Sequence, residues 1–170
     1  MSRFVGLVGA VVAVLLVASP VQAETPEGAW EIEAFAGWST GRYDDSSIVG
    51  LRLGKSFAPG WVIKGAFGTF DDAEGKYGHD QITLDVSFER HFAARQRHQF
   101  ILSMGPGFAT SKLTMGGRNL SNDTLTAHLG IGGKIKLGGA VHLRPDLRFR
   151  WYEDQDDRDA ELTLAINWTF

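Results

Sequence analysis

The sequence contains no cysteine, which rules out a disulfide framework, a thiolate metal site and a thiol nucleophile. It also lacks a cationic excess. The formal net charge is -3 and the isoelectric point is near 5.9, so there is no basic footprint for nucleic acid. Beyond residue 23 there is no continuously apolar stretch. Such a stretch would lodge in the inner membrane of a chain exported across it. Mean hydropathy is -0.10, unlike a helical membrane protein but compatible with a β-barrel, in which half of each strand is polar. Proline is low at 5 residues and glycine high at 21, and 170 residues leave room for one domain.

The first residues have the layout of an export signal. Arg3 supplies the positive start, Phe4 to Val17 is apolar, Ser19-Pro20 breaks the run, and Val21-Gln22-Ala23 offers small residues for cleavage. The apolar run is shorter than the ~20 residues a membrane span needs. Residues 1–23 are therefore expected to be a signal peptide removed after Ala23, with residues 24–170 forming the mature domain.

The mature chain shows no helical period. Apolar and polar residues alternate in eight runs, near 29–39, 47–57, 61–70, 81–92, 98–110, 123–137, 140–152 and 160–170. Runs of about ten residues are long for soluble strands but fit a tilted membrane strand. The first run puts Trp30, Ile32, Ala34, Ala36 and Trp38 on one face and Glu31, Glu33, Phe35 and Gly37 on the other. The polar faces carry charges at mid-strand in nearly every run, whereas the apolar faces carry two clear cations, Lys55 and Arg90, both near strand ends. A Lys or Arg costs about 2–4 kcal/mol at the bilayer midplane and about 0–1 near the interface, so these exceptions sit where they cost little.

Connections after the second, fourth and sixth runs are Ala58-Pro59-Gly60, the basic stretch Ala93 to Arg97, and Gly138-Gly139. Those after odd runs are longer and polar: Thr40 to Ser46, Asp71 to Asp80, Ser111 to Asn122, and Glu153 to Asp159. Short turns at one end and long loops at the other place the turns and both termini in the periplasm. Aromatic girdles are expected at both rims. Trp30, Trp61, Trp168 and Phe170 fall on the turn side; Trp38 and Trp151 fall on the loop side.

The ending Leu162-Thr163-Leu164-Ala165-Ile166-Asn167-Trp168-Thr169-Phe170 alternates and closes on Phe. It resembles the signature by which the barrel-assembly machinery recognises its clients. With the eight runs, the mature chain resembles the small OmpA/OmpX-like outer-membrane barrels. The resemblance implies an all-β fold, a closed eight-stranded antiparallel up-and-down transmembrane barrel in the outer membrane. It also implies a monomer in contact with lipid and lipopolysaccharide, with no nucleic-acid partner. No peptidoglycan-binding domain is expected after Phe170.

Eight strands leave an interior just wide enough for side chains. Alternation sends Glu31, Glu33, Asp85, Glu89, Asp146 and Glu161 inward against Arg52, Lys64, Lys134, Lys136, Arg144, Arg148 and Arg150. The signs nearly balance, which predicts a charge-plugged lumen. Neighbouring strands suggest Glu33 with Arg52, Lys64 with Asp85 or Glu89, and Arg148 or Arg150 with Glu161. No cofactor or metal site is expected. The acidic loop Glu153 to Asp159, with Asp71, Asp72 and Glu74, reads as a solvated rim, or alternatively as a gatherer of divalent cations near lipopolysaccharide.

Two enzyme families share this architecture, the lipid A deacylases and palmitoyltransferases. Deacylase resemblance would require a His-x-Ser pair on a late strand. His142 is followed by Leu143-Arg144-Pro145, and His128 has no serine within two residues. Pro106 and Pro145 each remove a ladder donor inside a strand, which reads as a bulge or kink, or more sharply as a lateral opening. The expected role is non-enzymatic, structural or surface-interacting. A narrow porin-like channel is the alternative, and a lipid A-modifying enzyme the third reading.

Overall fold

The computed structural model describes residues 27–40, 46–72, 79–95, 98–115, 118–153 and 158–170. The expected signal peptide and most of the 153–159 acidic loop lie outside them. Eight antiparallel strands follow one another: β1 (Trp30–Thr40), β2 (Ser46–Ala58), β3 (Trp61–Asp72), β4 (His79–Arg95), β5 (His98–Met115), β6 (Arg118–Gly138), β7 (Val141–Tyr152) and β8 (Arg158–Thr169). Each pairs with the next, and β8 returns to β1 to close the barrel. Closure leaves no unpaired edge. The closing seam runs from Glu31↔Thr169 to Thr40↔Ala160, and Trp30 and Phe170 exchange backbone bonds of 2.7 and 2.9 Å at its end.

The two-residue period decides which side of the wall each residue occupies. Glu31, Glu33, Phe35 and Ser39 are buried while Trp30, Ile32, Ala34, Ala36 and Trp38 are exposed. The same split holds around the barrel. Leu51, Leu84, Leu125 and Leu164 stand more than half exposed, whereas Glu33, Arg144 and Arg150 are 0% exposed. This is the reverse of a water-soluble protein. A continuous apolar band on the outside requires an apolar solvent.

Two connections at one rim are tight turns. Pro59-Gly60 joins β2 to β3, with Pro59 presetting φ and Gly60 taking φ 72°. Gly139-Ala140 joins β6 to β7, with Gly139 at φ 53°. We call this rim the turn end, and both Trp30 and Phe170 sit there.

Two expectations need correction. Ser111 to Asn122 reads as a loop in sequence, yet β5 and β6 continue in register through Leu113↔Leu120 to Met115↔Arg118. A lone pair of glycines, Gly116-Gly117, separates that last pair, and Gly-Gly between strands is a hairpin signal. Above the membrane no apolar face is needed, so polarity misled while the ladder carried on. β4 likewise runs on to Arg95, through the stretch expected to turn, with a register shift between Ala93 and Arg95. At the prolines, which read as a bulge or kink or as a lateral opening, the ladder lapses without a register shift. The β4–β5 ladder lapses between Asp85↔Gly107 and Phe88↔Met104, opposite Pro106, and resumes in the same register. The β6–β7 ladder does the same between Gly132↔Asp146 and Ile135↔Leu143, beside Pro145. Each ring deletes one donor, and the surrounding ladder holds alignment.

Candidate functional site: a charge-filled lumen

At the turn end the lumen opens as a vestibule of about 450 Å³, walled by Gln99, Lys134, Lys136, His142 and Thr169. Lys136, read as inward, is exposed at this mouth. The floor is a dense tier of ions. Lys134 Nζ donates to Glu31 Oε1, and Lys64 Nζ reaches Glu31 at 2.8 Å, Glu89 at 3.1 Å, and Glu33. Asn167 Nδ2 donates to Glu33 Oε1 at 2.9 Å. Arg144 lies at the centre. Its Nη1 donates to Glu33 at 2.9 Å, its Nη2 to Glu89 at 2.8 Å, and its Nε to Asp146 at 2.9 Å. Arg52 completes the tier, donating to Asp146 at 2.7 Å, Glu33 at 3.2 Å and Thr163 Oγ1 at 3.2 Å.

A second tier lies further along the axis. Arg150 meets Asp85 with both terminal nitrogens, at 2.7 and 2.9 Å, and its Nε donates to Glu161 at 2.6 Å. This two-pronged geometry is the strongest form of the guanidinium–carboxylate pair. Arg148 adds one bond to Asp85 at 3.1 Å. Glycines supply the space: a Cβ on Gly107 would lie 2.1 Å from Asp85 Oδ1, and one on Gly132 2.1 Å from Asp146 Oδ1. Beyond this tier, Gln81 donates to the Tyr152 hydroxyl at 3.1 Å, and Tyr152 donates to Asp159.

Of the pairs expected between adjacent strands, Glu33 and Arg52 meet, Lys64 meets Glu89, and Arg150 meets Glu161. Asp85 is held by Arg148 and Arg150 instead of Lys64, and Arg148 pairs with Asp85 instead of Glu161. Several bonds cross the lumen between strands that are not neighbours, such as Arg52 of β2 to Asp146 of β7 and Arg144 of β7 to Glu89 of β4. Eight strands bring opposite walls within reach of one side chain.

This geometry is met by a family match. The family model described as the outer membrane protein β-barrel domain matches residues 9–170. The chain belongs to that family. No curated protein matches it in sequence. Among solved structures, Neisserial surface protein A superposes with a TM-score of 0.74 at 12% identity, covering 85% of this chain and 100% of that one. The N-terminal barrel of OprF from Pseudomonas aeruginosa gives 0.68 at 15% identity, covering 84% and 98%. Ail of Yersinia pestis, solved with the heparin analogue sucrose octasulfate, gives 0.64 at 15% identity, covering 85% and 100%. These are likenesses of fold. The protein is an integral barrel of the cell outer membrane.

In this outer-membrane barrel the five tryptophans lie toward the two rims. Trp30 faces Lys55 and Trp168 faces Ile32 near the turn end, where Phe170 is 71% exposed. Trp61 faces Arg90 at that same rim. Trp38 and Trp151 lie at the other end, opposite Ser47 and Arg158.

Two arrangements in the lumen were hidden from the sequence. Ligand atoms of Glu31, Glu89 and His91 lie within 4.8 Å of one another, spacing that suits a metal ion. Lys64 Nζ already touches both carboxylates, so an ammonium fills the cation's place. Ser87 Oγ lies 2.9 Å from His128 Nε2, a contact between β4 and β6 that passes over Gly105 of β5. His128 Nδ1 is buried without a partner, so no carboxylate orients the ring, and both side chains are buried. A catalytic dyad needs an oriented base and a route for substrate.

Proposed function

We propose that this outer-membrane barrel is a non-enzymatic protein with a closed lumen, serving a structural or surface-interaction role. The observation that carries the reading is Arg144. It is fully buried and binds carboxylates from β1, β4 and β7, so it spans the axis where a conduit would have to pass. The vestibule ends on this tier. Four carboxylates (Glu31, Glu33, Glu89, Asp146) face four cations (Arg52, Lys64, Lys134, Arg144), which leaves no net charge to draw an ion inward. Among the described residues the Ser87–His128 pair is the nearest approach to a nucleophile and base, and it lacks both the third group and an entry.

Exposed Phe170, held to Trp30 at the closing seam, suits recognition by the barrel-assembly machinery during insertion. The apolar wall suits a monomer in lipid, with lipopolysaccharide in the leaflet beyond the loop end. Planar-bilayer recording tests the closed lumen. The purified barrel is expected to show no reproducible unitary current. A reproducible open state whose conductance changes with Arg148→Ala or Arg144→Ala would replace this reading with the narrow-channel one.

A further inference from the structure

The turn-end half of the outward face carries two cations among the described residues, and neither meets a carboxylate there. Both lie near the turn end, and each rests against an aromatic ring. Lys55 Nζ is 5.0 Å from the ring centre of Trp30. Arg90 is more enclosed: its guanidinium carbon is 5.0 Å from the Trp61 ring and 5.5 Å from Phe92, and Nη1 donates to the Pro59 carbonyl at 2.9 Å. Arg90 is 8% exposed, and its Nε is buried with no hydrogen-bond partner. A largely desolvated guanidinium with no carboxylate beside it, on a lipid-facing surface, calls for an anion.

The same wall has a depression deeper in the membrane. An apolar groove of about 730 Å³ is lined by Leu53, Gly65, Phe67, Leu84, Val86 and Pro106. At its middle Gly65 leaves open space, since a Cβ there would meet nothing within 4 Å. Along the outer face of β3 the order is Trp61, Ile63, Gly65 and Phe67. Four residues of strand separate the Arg90–Trp61 pair from Gly65, about 13 Å at ~3.3 Å per residue. With strands tilted by ~40°, the groove lies about 10 Å deeper than the cation, within the ~15 Å hydrocarbon half of the same leaflet.

From these two features we propose that the β2–β5 wall is a site for one glycerophospholipid of the periplasmic leaflet, its phosphodiester on Arg90 and one acyl chain in the Gly65 groove. The phosphodiester meets the small exposed part of the Arg90 guanidinium, and Lys55 adds positive potential on the same face. The leaflet follows from the turn end, which is periplasmic in barrels of this type. The loop-end leaflet, where lipopolysaccharide resides, is out of reach of Arg90.

Native mass spectrometry of the full barrel, purified in detergent and titrated with phosphatidylglycerol, tests the site. One phospholipid adduct is expected to persist after other lipid is stripped. Arg90→Gln should lower its occupancy roughly tenfold, the factor carried by a charge-assisted hydrogen bond, while Arg90→Lys keeps most of it. Gly65→Phe fills the groove without touching a charge and should lower occupancy as well. Leu164→Phe, on β8, should change nothing, and inorganic phosphate should not displace the adduct. Heat-dependent gel migration checks that each variant has formed its barrel. Equal occupancy in the wild type and Arg90→Gln overturns the phosphate contact. An unchanged Gly65→Phe, or displacement by inorganic phosphate alone, overturns the acyl seat and with it the proposed lipid site.

Discussion

Arg144 and Arg148 lie four residues apart on β7, face the same lumen and carry the same charge, yet the structure gives them unequal work. Arg144 binds three carboxylates and has no exposure. Arg148 makes one 3.1 Å contact, to a carboxylate that Arg150 already grips with two nitrogens. Removing one partner of a buried pair leaves the other charge uncompensated, at a cost of about 3–5 kcal/mol. Arg144→Met is therefore expected to lose several kcal/mol in urea unfolding from lipid vesicles, and Arg148→Met clearly less. An equal or larger loss for Arg148→Met would show that contact geometry does not rank these residues. Sequence parity placed both arginines inward, and that much was legible. The partners of Arg144 were not. Its β8 neighbour is Ala165, and toward β6 the ladder lapses, so strand adjacency offered it no carboxylate; Glu33 and Glu89 reach it across the lumen.

On the scale of a strand, the same substitution should have opposite effects on the two faces of the wall. Phe35 of β1 turns inward and sits in register with Gly50 of β2, which in turn faces Gly68 of β3. Its ring lies across that glycine row beside Ile48, Phe70 and Ala165, with Arg52 stacked 4.2 Å from its centre. A Cβ on Gly50 would lie 2.4 Å from the Phe35 ring and 2.2 Å from the Phe67 carbonyl. Gly50→Ala is expected to cost about 1–3 kcal/mol through overpacking. Gly65→Ala meets open space, and replacing a strand glycine should be neutral or gain about 0.5–1 kcal/mol. Urea midpoints of the two variants check the contrast, and a destabilised Gly65→Ala would mean the outer wall is packed where the structure leaves it open. Strand existence and facing were legible because lipid and lumen enforce alternation. Strand ends were not, because the β5–β6 hairpin continues past the zone where alternation is required. An apolar cluster inside a polar lumen was also invisible, since it is assembled from Phe35, Ile48 and Phe70 on three different strands.

For the whole molecule, the fold inverts the usual economy of a core: the apolar surface is supplied to the bilayer and the interior is held by ions. Those ions divide into two neutral groups along the axis. The group nearer the turn end sets four carboxylates against Arg52, Lys64, Lys134 and Arg144. The group beyond it sets Asp85 and Glu161 against Arg148 and Arg150. Among the described residues no ion pair links the two groups. Sites that share no partner add in their effects to within about 0.5 kcal/mol, while sites in one network couple by about 0.5–3 kcal/mol. Asp85→Asn with Glu161→Gln, joined through Arg150, should therefore be strongly non-additive in unfolding free energy. Glu161→Gln with Glu31→Gln, one from each group, should sum. Coupling across the groups as large as coupling within one would mean the plug responds as a single unit. A signal applied at the loop end could then reach the vestibule through the ions, and the two-group description of the lumen would have to be abandoned.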